Sequence, residues 1–327
     1  PRACISQDNT MNISILGTES LGVRGLSCVV TTGTQRILLD PGIALGYMRH
    51  SLLPHPFQIA RGEQIRKSII NQLHMATDIV LSHFHGDHIP LLRANPFQLG
   101  MPEVAGQLAK VTIHAPGEKE LPGGMLQRRI DLEMTAGHEI PDASGLSQGP
   151  MRFSLPVFHG PHASRQGKVM MTRISDQGTT FVHASDIQLL DETAIDTILD
   201  WHPDIVLASG PPLYLHRLAP SAEQDAWSHA VHLANNVNTL ILDHHLLRSD
   251  AGIVWLDRLR QTTGRNILCA AQFMRTEPCF LEAWREKLYA EMPVPEGWHT
   301  AYACGETDTS AYQRWRGWDL TSENTEP

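Results

Sequence analysis

The chain has 327 residues, 42% hydrophobic and 19% charged, a globular composition long enough for one large or two modest domains; disordered and fibrous classes are excluded. Its 26 Lys and Arg stand against 35 Asp and Glu, a formal charge of -9, so the basic footprint of non-specific nucleic-acid binding is missing and no nucleic-acid partner is expected. No stretch approaches the roughly 18 apolar residues that span a bilayer, and Pro1-Arg2-Ala3-Cys4 is not followed by a signal-peptide core. The expectation is a cytoplasmic protein with no membrane partner and a small-molecule substrate; homo-oligomerisation stays open.

Short β-branched runs at Met11–Gly17, around Cys28-Val29-Val30 and at Arg36–Asp40 predict strands joined by hairpins, the last stopped by Asp40-Pro41-Gly42. Ile65, Ile69, Ile70 and Leu73 recur at helical spacing within 62–75, and Asp78–Ser82 reads as a short buried strand leading to His83. Residues 93–150 are rich in Gly, Pro and polar side chains and predict a loop-rich insertion holding one strand, Val111–Ile113. Strands follow at Phe153–Phe158, Val169–Ile174, Thr179–His183, Asp204–Ala208 and Thr239–Leu242. Helices are expected at about 190–200, 221–235, 250–262 and 279–291, the second opening with a Ser221/Gln224 capping-box pattern. Leu281, Trp284 and Leu288 make a helical core stripe. Beyond about 305 the chain is polar, and 321–327 is expected to fray. Without a repeat or linker, strands and helices alternate in two β-rich halves of one domain, 1–327.

Five cysteines (Cys4, Cys28, Cys269, Cys279, Cys304) form no CxxC pair, so neither a disulfide framework nor a thiolate zinc knuckle is indicated. Histidine is abundant instead, with 18 residues, and imidazole is the commonest protein ligand for transition metals. Ser82-His83-Phe84-His85-Gly86-Asp87-His88 sets four ligands directly after a buried strand. In an extended segment His83 and His85 alternate to one side, while Asp87 and His88 come round on the following turn, so one loop can serve two neighbouring ions. A chance HxHxDH pattern arises in roughly one such chain in several hundred, which favours the ligand reading over scattered histidines.

This motif, the preceding Ile37-Leu38-Leu39-Asp40-Pro41-Gly42 and the order of later candidate ligands resemble the metallo-β-lactamase-fold metallo-hydrolase superfamily over the chain to about residue 300. Phe158-His159-Gly160-Pro161, Ala184-Ser185-Asp186, Ser209–Leu215, Asp243–Arg248 and Ala270–Met274 resemble a branch best known from archaea, which supplies a fold and a metal centre but no substrate. The resemblance implies an αββα four-layer sandwich with a binuclear site at one edge between two mixed sheets. It implies a first ion on His83, His85 and a third histidine, with His159 ahead of His162, and Asp186 as bridging carboxylate. Asp87, His88 and either His244 or His245 would bind the second, His244 ranking first and His245 serving as proton shuttle or outer partner. Zinc is the expected metal, with manganese or iron as alternatives.

With Asp186 in the bridging position and no cysteine on the second ion, the set looks more like phosphodiesterase, lactonase and thioesterase branches than antibiotic-cleaving ones. The expected activity is a binuclear hydrolase that uses a metal-bridging hydroxide, on phosphodiesters or cyclic phosphates ahead of lactones or thioesters. The alternative is an iron-dependent oxidoreductase using the same ligands on a small biosynthetic or sulfur-containing intermediate. Asp87 would orient the nucleophile and take its proton. His245, His162 and His183 compete to protonate the leaving group. Tyr214 either faces substrate or packs on the core, and Arg248 is either an anion clamp or a surface salt bridge.

Overall fold

Three apolar segments near the start of the chain pair antiparallel as β1 (Asn12–Gly17), β2 (Ser27–Thr31) and β3 (Arg36–Leu39). α1 (Pro56–Met75) then returns the chain so that β4 (Asp78–Val80) lies parallel to β3. α2 (Met101–Leu108) precedes β5 (Thr112–His114), which completes the five-stranded sheet β1-β2-β3-β4-β5, and α3 (Gly123–Ala136) follows. This computed structural model describes residues 11–33, 35–119, 121–161, 167–215 and 218–321.

The second sheet begins with β6 (Ser147–Gln148) and β7 (Met151–Phe153). A separate pair, β8 (Val157–Phe158) with β9 (Lys168–Val169), precedes β10 (Thr172–Asp176) and β11 (Thr179–Ser185). α4 (Glu192–Asp200), β12 (Ile205–Ala208), α5 (Pro220–Asn236), β13 (Thr239–Leu242), α6 (Asp250–Thr263) and β14 (Ile267–Leu268) finish the order β14-β13-β12-β11-β10-β7-β6. α1 packs on β1 and β3 with α2 and α3 beside it, α5 and α6 pack on β13 and β14, and one apolar core runs between the sheets. The result is an αββα sandwich. β4, β12 and β13 are apolar runs buried along nearly their whole length, as strands covered on both faces must be. α7 (Ala270–Phe273), α8 (Arg285–Glu291), α9 (Trp298–Ala303) and the hairpin β15 (Arg314–Trp315) with β16 (Trp318–Asp319) complete the described chain.

Parallel register decides where the site falls. Leu39 pairs with Val80, so Asp40 and Ser82 leave adjacent strand ends together. Ser185, Ala208 and Leu242 pair in turn, which brings Asp186, Ser209 and Asp243 out at a common edge. Carboxyl ends of parallel strands are where open α/β sheets hold their ligands.

Several sequence expectations give way. The 93–150 segment contains α2 and α3 as well as β5. In α3 the buried positions Met125, Arg129, Leu132 and Ala136 hold helical spacing, but the arginine hides the stripe. Arg129 is buried because its guanidinium donates to the Pro116 and Ile140 carbonyls and to Glu133. The Ser221/Gln224 cap is absent: α5 starts at Pro220, whose missing N–H suits the first turn. Phe153–Phe158 breaks at Ser154–Pro156 into strands of two different sheets, and the 279–291 helix is regular only over α8. In the polar tail Trp315 is buried near Phe57, with ring centroids 6.0 Å apart; residues 322–327 lie outside the described ones. Among the described residues no helix is long and apolar enough to cross a membrane.

Candidate metal centre

Five strand ends contribute, β8 delivering His159. β4 delivers Ser82-His83, and the following turn carries His85, Asp87 and His88; β3 delivers Asp40, β11 Ser185-Asp186, and β13 Asp243-His244-His245. Two of these ends are conformationally strained. Asp40 and Ser185 have φ of 45° and 51°, a left-handed conformation that costs a residue with a Cβ about 1–2 kcal/mol and that gathers at functional sites. Gly42 lets the two loops touch, since a Cβ there would lie 2.2 Å from the His88 carbonyl carbon.

Asp186 is fully enclosed and divides its two oxygens. Oδ1 lies 3.1 Å from His88 Nε2 and 3.3 Å from His244 Nε2. Oδ2 lies 3.4 Å from His83 Nε2, 3.3 Å from His245 Nε2 and 3.7 Å from His85 Nδ1. Asp87 Oδ2 joins the first group at 3.4 Å from His244 Nε2. His159 is buried with its ring 5.9 Å from that of His83 and 5.5 Å from that of His85, and it groups with Asp186 and His245.

These residues fit divalent ions. A tetrahedral zinc shell places neighbouring ligand atoms about 3.3 Å apart, close to the spacings here. His88 Nε2 and Asp186 Oδ1 are buried 3.1 Å apart but out of line for a hydrogen bond, and neither makes another among the described residues, although each needs a well-directed partner in a dry interior. Electrostatics agrees. Burial and the neighbouring His88 and His85 push His83 down to about 3, holding it in the neutral form that ligates. Burial also disfavours a charged His88, yet the Asp186 and Asp40 carboxylates raise it well above the usual imidazole range: this corner calls for positive charge. Asp186 is held well below the carboxylate range, the nearby histidines outweighing its burial.

A hydrogen-bonded frame sits behind the donors. Asp40 Oδ2 accepts from His88 Nδ1 at 2.9 Å, Ser82 Oγ at 2.7 Å and Ser185 Oγ at 2.7 Å, while Oδ1 accepts from the Ser82 amide at 2.8 Å. Ser82 Oγ also lies 2.8 Å from His83 Nδ1. Such partners fix ring orientation and basicity in metal sites. On the other flank Arg248 is buried, not a surface ion pair: Nε donates to Glu19 at 2.7 Å, and Nη2 stands 3.5 Å from Asp87 Oδ2 and 2.8 Å from His244 Nε2. Burial and the Glu282 carboxylate push Glu19 up to about 8 despite that bond.

Of the residues named from sequence, the structure brings His83, His85, Asp87, His88, His159, Asp186, His244 and His245 together. His244 is the one whose Nε2 meets both Asp87 and Asp186 Oδ1, whereas His245 meets only Oδ2. His162 lies outside the described residues. His183 does not join: it is buried between the sheets with Nε2 on the Leu26 carbonyl at 3.0 Å, which removes it as a proton donor to substrate. Tyr214 is only partly buried, with its hydroxyl 3.2 Å from His245 Nδ1. Sequence reasoning missed the roles of Asp40, Ser82, Ser185 and Glu19. Asp40 carried a signal, an acid buried at a strand end before Pro-Gly, but Glu19 carried none.

The αββα sandwich with this His-rich loop at its carboxyl edge is the metallo-β-lactamase fold. No family model matches the chain. Among solved structures it is similar to unliganded yeast PDE1, at TM-score 0.47 and 13% identity over 79% of this chain and 96% of that one. It is also similar to Zn(2+)-bound PqqB from Methylobacterium extorquens, at TM-score 0.45 and 11% identity over 80% and 98%. At these scores the likeness says nothing about substrate or metal. The sequence relatives are much nearer. A UPF0282 protein of Methanosarcina mazei is 45% identical over 302 residues, covering 92% of this chain and 99% of its own, and one of Pyrococcus furiosus is 32% identical over 302 residues, covering 88% and 96%. The archaeal branch that the motifs resemble is therefore this one, and the chain belongs to the UPF0282 family.

Proposed function

We propose that the protein is a metal-dependent hydrolase of a small-molecule substrate, with phosphodiesters or cyclic phosphates ahead of lactones or thioesters. The observation that carries the reading is the division of Asp186, one oxygen toward His88 and His244 and the other toward His83, His85 and His245. A carboxylate serving two donor sets suits a pair of ions, and a pair suits in-line displacement at phosphorus, where attacking and leaving oxygens both need stabilising. Ions held there would lower the pKa of water and neutralise charge growing on the substrate. His83, His85, His159 and Asp186 would hold one, and Asp87, His88, His244 and Asp186 the other. The acidic chain favours a small molecule over nucleic acid.

The protein's own groups supply the proton handling. Burial would raise Asp87, but the His244 hydrogen bond and the charges of His88, His244 and Arg248 hold it well below the carboxylate range, so it stays an acceptor able to orient a nucleophile. Arg248 Nη1 donates to the Tyr214 oxygen at 3.2 Å. With Arg248 donating to its oxygen, the Tyr214 hydroxyl is free to give its proton to His245 Nδ1, 3.2 Å away, an arrangement that would leave the His245 proton on Nε2. In that tautomer His245 carries a proton beside Asp186 that it could pass to a leaving oxygen bound at the centre.

The test is elemental analysis of protein purified without chelator, followed by a panel of phosphodiesters, cyclic phosphates, lactones and thioesters with the metal found. About two zinc or manganese ions per chain, and phosphodiester turnover lost in Asp87→Asn, are expected. Predominant iron with oxygen consumption would replace the reading with the oxidoreductase one. No metal after reconstitution would overturn both.

A further inference from the structure

Arg49 differs from the other arginines around the centre. Arg24 and Arg248 are each held by a buried carboxylate, through Nε to Glu282 at 2.7 Å and to Glu19 at 2.7 Å. Arg49 meets no carboxylate among the described residues. Its Nη2 donates to the Arg248 carbonyl at 3.0 Å, and its Nε is buried with no hydrogen-bond partner. Its guanidinium carbon lies 5.4 Å from the centre of the Tyr214 ring, which Arg248 also approaches at 5.5 Å. A partly exposed guanidinium that meets no carboxylate among the described residues keeps its charge and its remaining N–H donors available to an anion from outside.

The turn that presents Arg49 is held in place. Arg49 and Leu52 exchange backbone hydrogen bonds of 3.0 and 2.9 Å across His50 and Ser51, whose φ of 53° and 60° are both left-handed. Neither is a glycine, so the conformation needs external support. The C-terminal elements give it: Arg285 Nη1 donates to the Leu52 carbonyl at 3.0 Å, Tyr289 Oη to that of Leu53 at 3.2 Å, and His299 Nε2 lies 2.8 Å from that of Pro54. Through Tyr214 and then His245, the guanidinium is one pair of rings away from Asp186.

We propose that Arg49, stacked on Tyr214, recognises a second oxyanion of the substrate, of the phosphate type, carried beyond the bond that faces the histidine cluster. Arginine is suited to this by its rigid fork of donors, and the ring fixes the plane of that fork. The word substrate rests on the hydrolase reading; the anion site itself does not. Substrates are then diesters with a further charged group, and singly charged diesters are the poorer ones.

The test uses the full chain. First, inorganic phosphate is titrated calorimetrically into metal-free wild type, Arg49→Met and Arg49→Lys at constant ionic strength, with melting temperatures recorded to establish folding. Arg49→Met is expected to weaken phosphate by about tenfold or more and Arg49→Lys by less, since it keeps the charge and loses the fork. Equal affinity in wild type and Arg49→Met, or no phosphate binding to wild type, overturns the proposal. If Arg49→Met does not fold, the Arg49→Lys comparison decides alone. Second, metal-loaded protein is given the p-nitrophenyl ester of thymidine 5′-phosphate with and without an added 3′-phosphate. The ratio of kcat/KM for the two should fall about tenfold in Arg49→Met. If neither ester is cleaved but phosphate binding still depends on Arg49, the hydrolase reading falls and the anion site stands. If both are cleaved with an unchanged ratio and phosphate binding is unaltered, the reverse holds.

Discussion

Replacing Asp40 with asparagine tests whether the frame behind the histidines is what organises them. The carboxylate takes four hydrogen bonds, three of them on Oδ2, from His88, Ser82 and Ser185. Asn keeps the shape but turns one oxygen into a donor that must face Ser82 N–H or the Oδ2 group. Bonds to a buried charge contribute about 1.5–3 kcal/mol each, and with the serine hydroxyls free to rotate the net loss should be on the order of 2–4 kcal/mol. The freed His88 ring should weaken metal binding by about 10–100-fold, or roughly 1.4–2.8 kcal/mol. Urea denaturation of the metal-free proteins measures the first quantity, and zinc competition against a chromophoric chelator measures the second. The effect also has a pH signature. Burial would raise Asp40, but the hydrogen bond and charge of His88, helped by His183 and His83, hold it below its ordinary 3.8. Its folded value lies below its unfolded one, so its stabilisation is fully present above about pH 4 and is lost as pH falls further. Wild type and Asp40→Asn should therefore converge in acid. Unchanged stability together with zinc affinity within about twofold of wild type would refute the reasoning, because no partner of this kind is that dispensable.

Asp186→Ala should lower metal content from about two ions per chain to less than one by mass spectrometry, since both donor sets lose an oxygen; retention of two would break the bridging assignment. His244→Ala should cost about one ion, whereas His245→Ala should keep the wild-type content and lower kcat, and the opposite pattern would exchange their roles. His55 caps α1 through Nδ1, and its Nε2 lies 2.8 Å from the Met292 carbonyl; burial pulls it from 6.5 down to about 4. Because the unfolded chain binds the proton first, stability should fall between pH 6.5 and about 4, by at most about 3 kcal/mol from this residue. His55→Gln in metal-free protein should flatten that part of the melting-temperature profile. Gly42→Ala drives a Cβ into the His88 backbone at 2.2 Å, and rigid backbone cannot yield as a side chain does. A loss of about 1–3 kcal/mol or more is expected in denaturant melts, and a wild-type midpoint would contradict the packing.

Much of the centre was legible in the chain because its chemistry is local: His83, His85, Asp87 and His88 share one turn, and strand alternation already separates them into two pairs. Asp186 and the His244-His245 pair were reached only through the family resemblance, since an acid after a strand is ordinarily a turn former and strand alternation lets either imidazole face the centre. What was not legible came from two sources. Arg129 broke an apolar stripe in α3 because it is a cation buried for its hydrogen bonds, and periodicity cannot recognise a polar core residue. Glu19, Arg49 and Arg285 work through partners 199 to 233 positions away, and no spacing rule reaches that far.

By itself, then, the sequence determined the local donor motif from His83 to His88, the buried strand that leads to it and the two-halved alternation of the chain, since each depends on residues within a few positions of one another. The tertiary structure decided which of His244 and His245 meets Asp87, that His183 is spent on Leu26, that Asp40 orients His88, and that Arg49, unlike Arg24 and Arg248, meets no carboxylate among the described residues. Those outcomes depend on strand register and on which side chains meet across the two sheets, quantities set by the packing of the whole core.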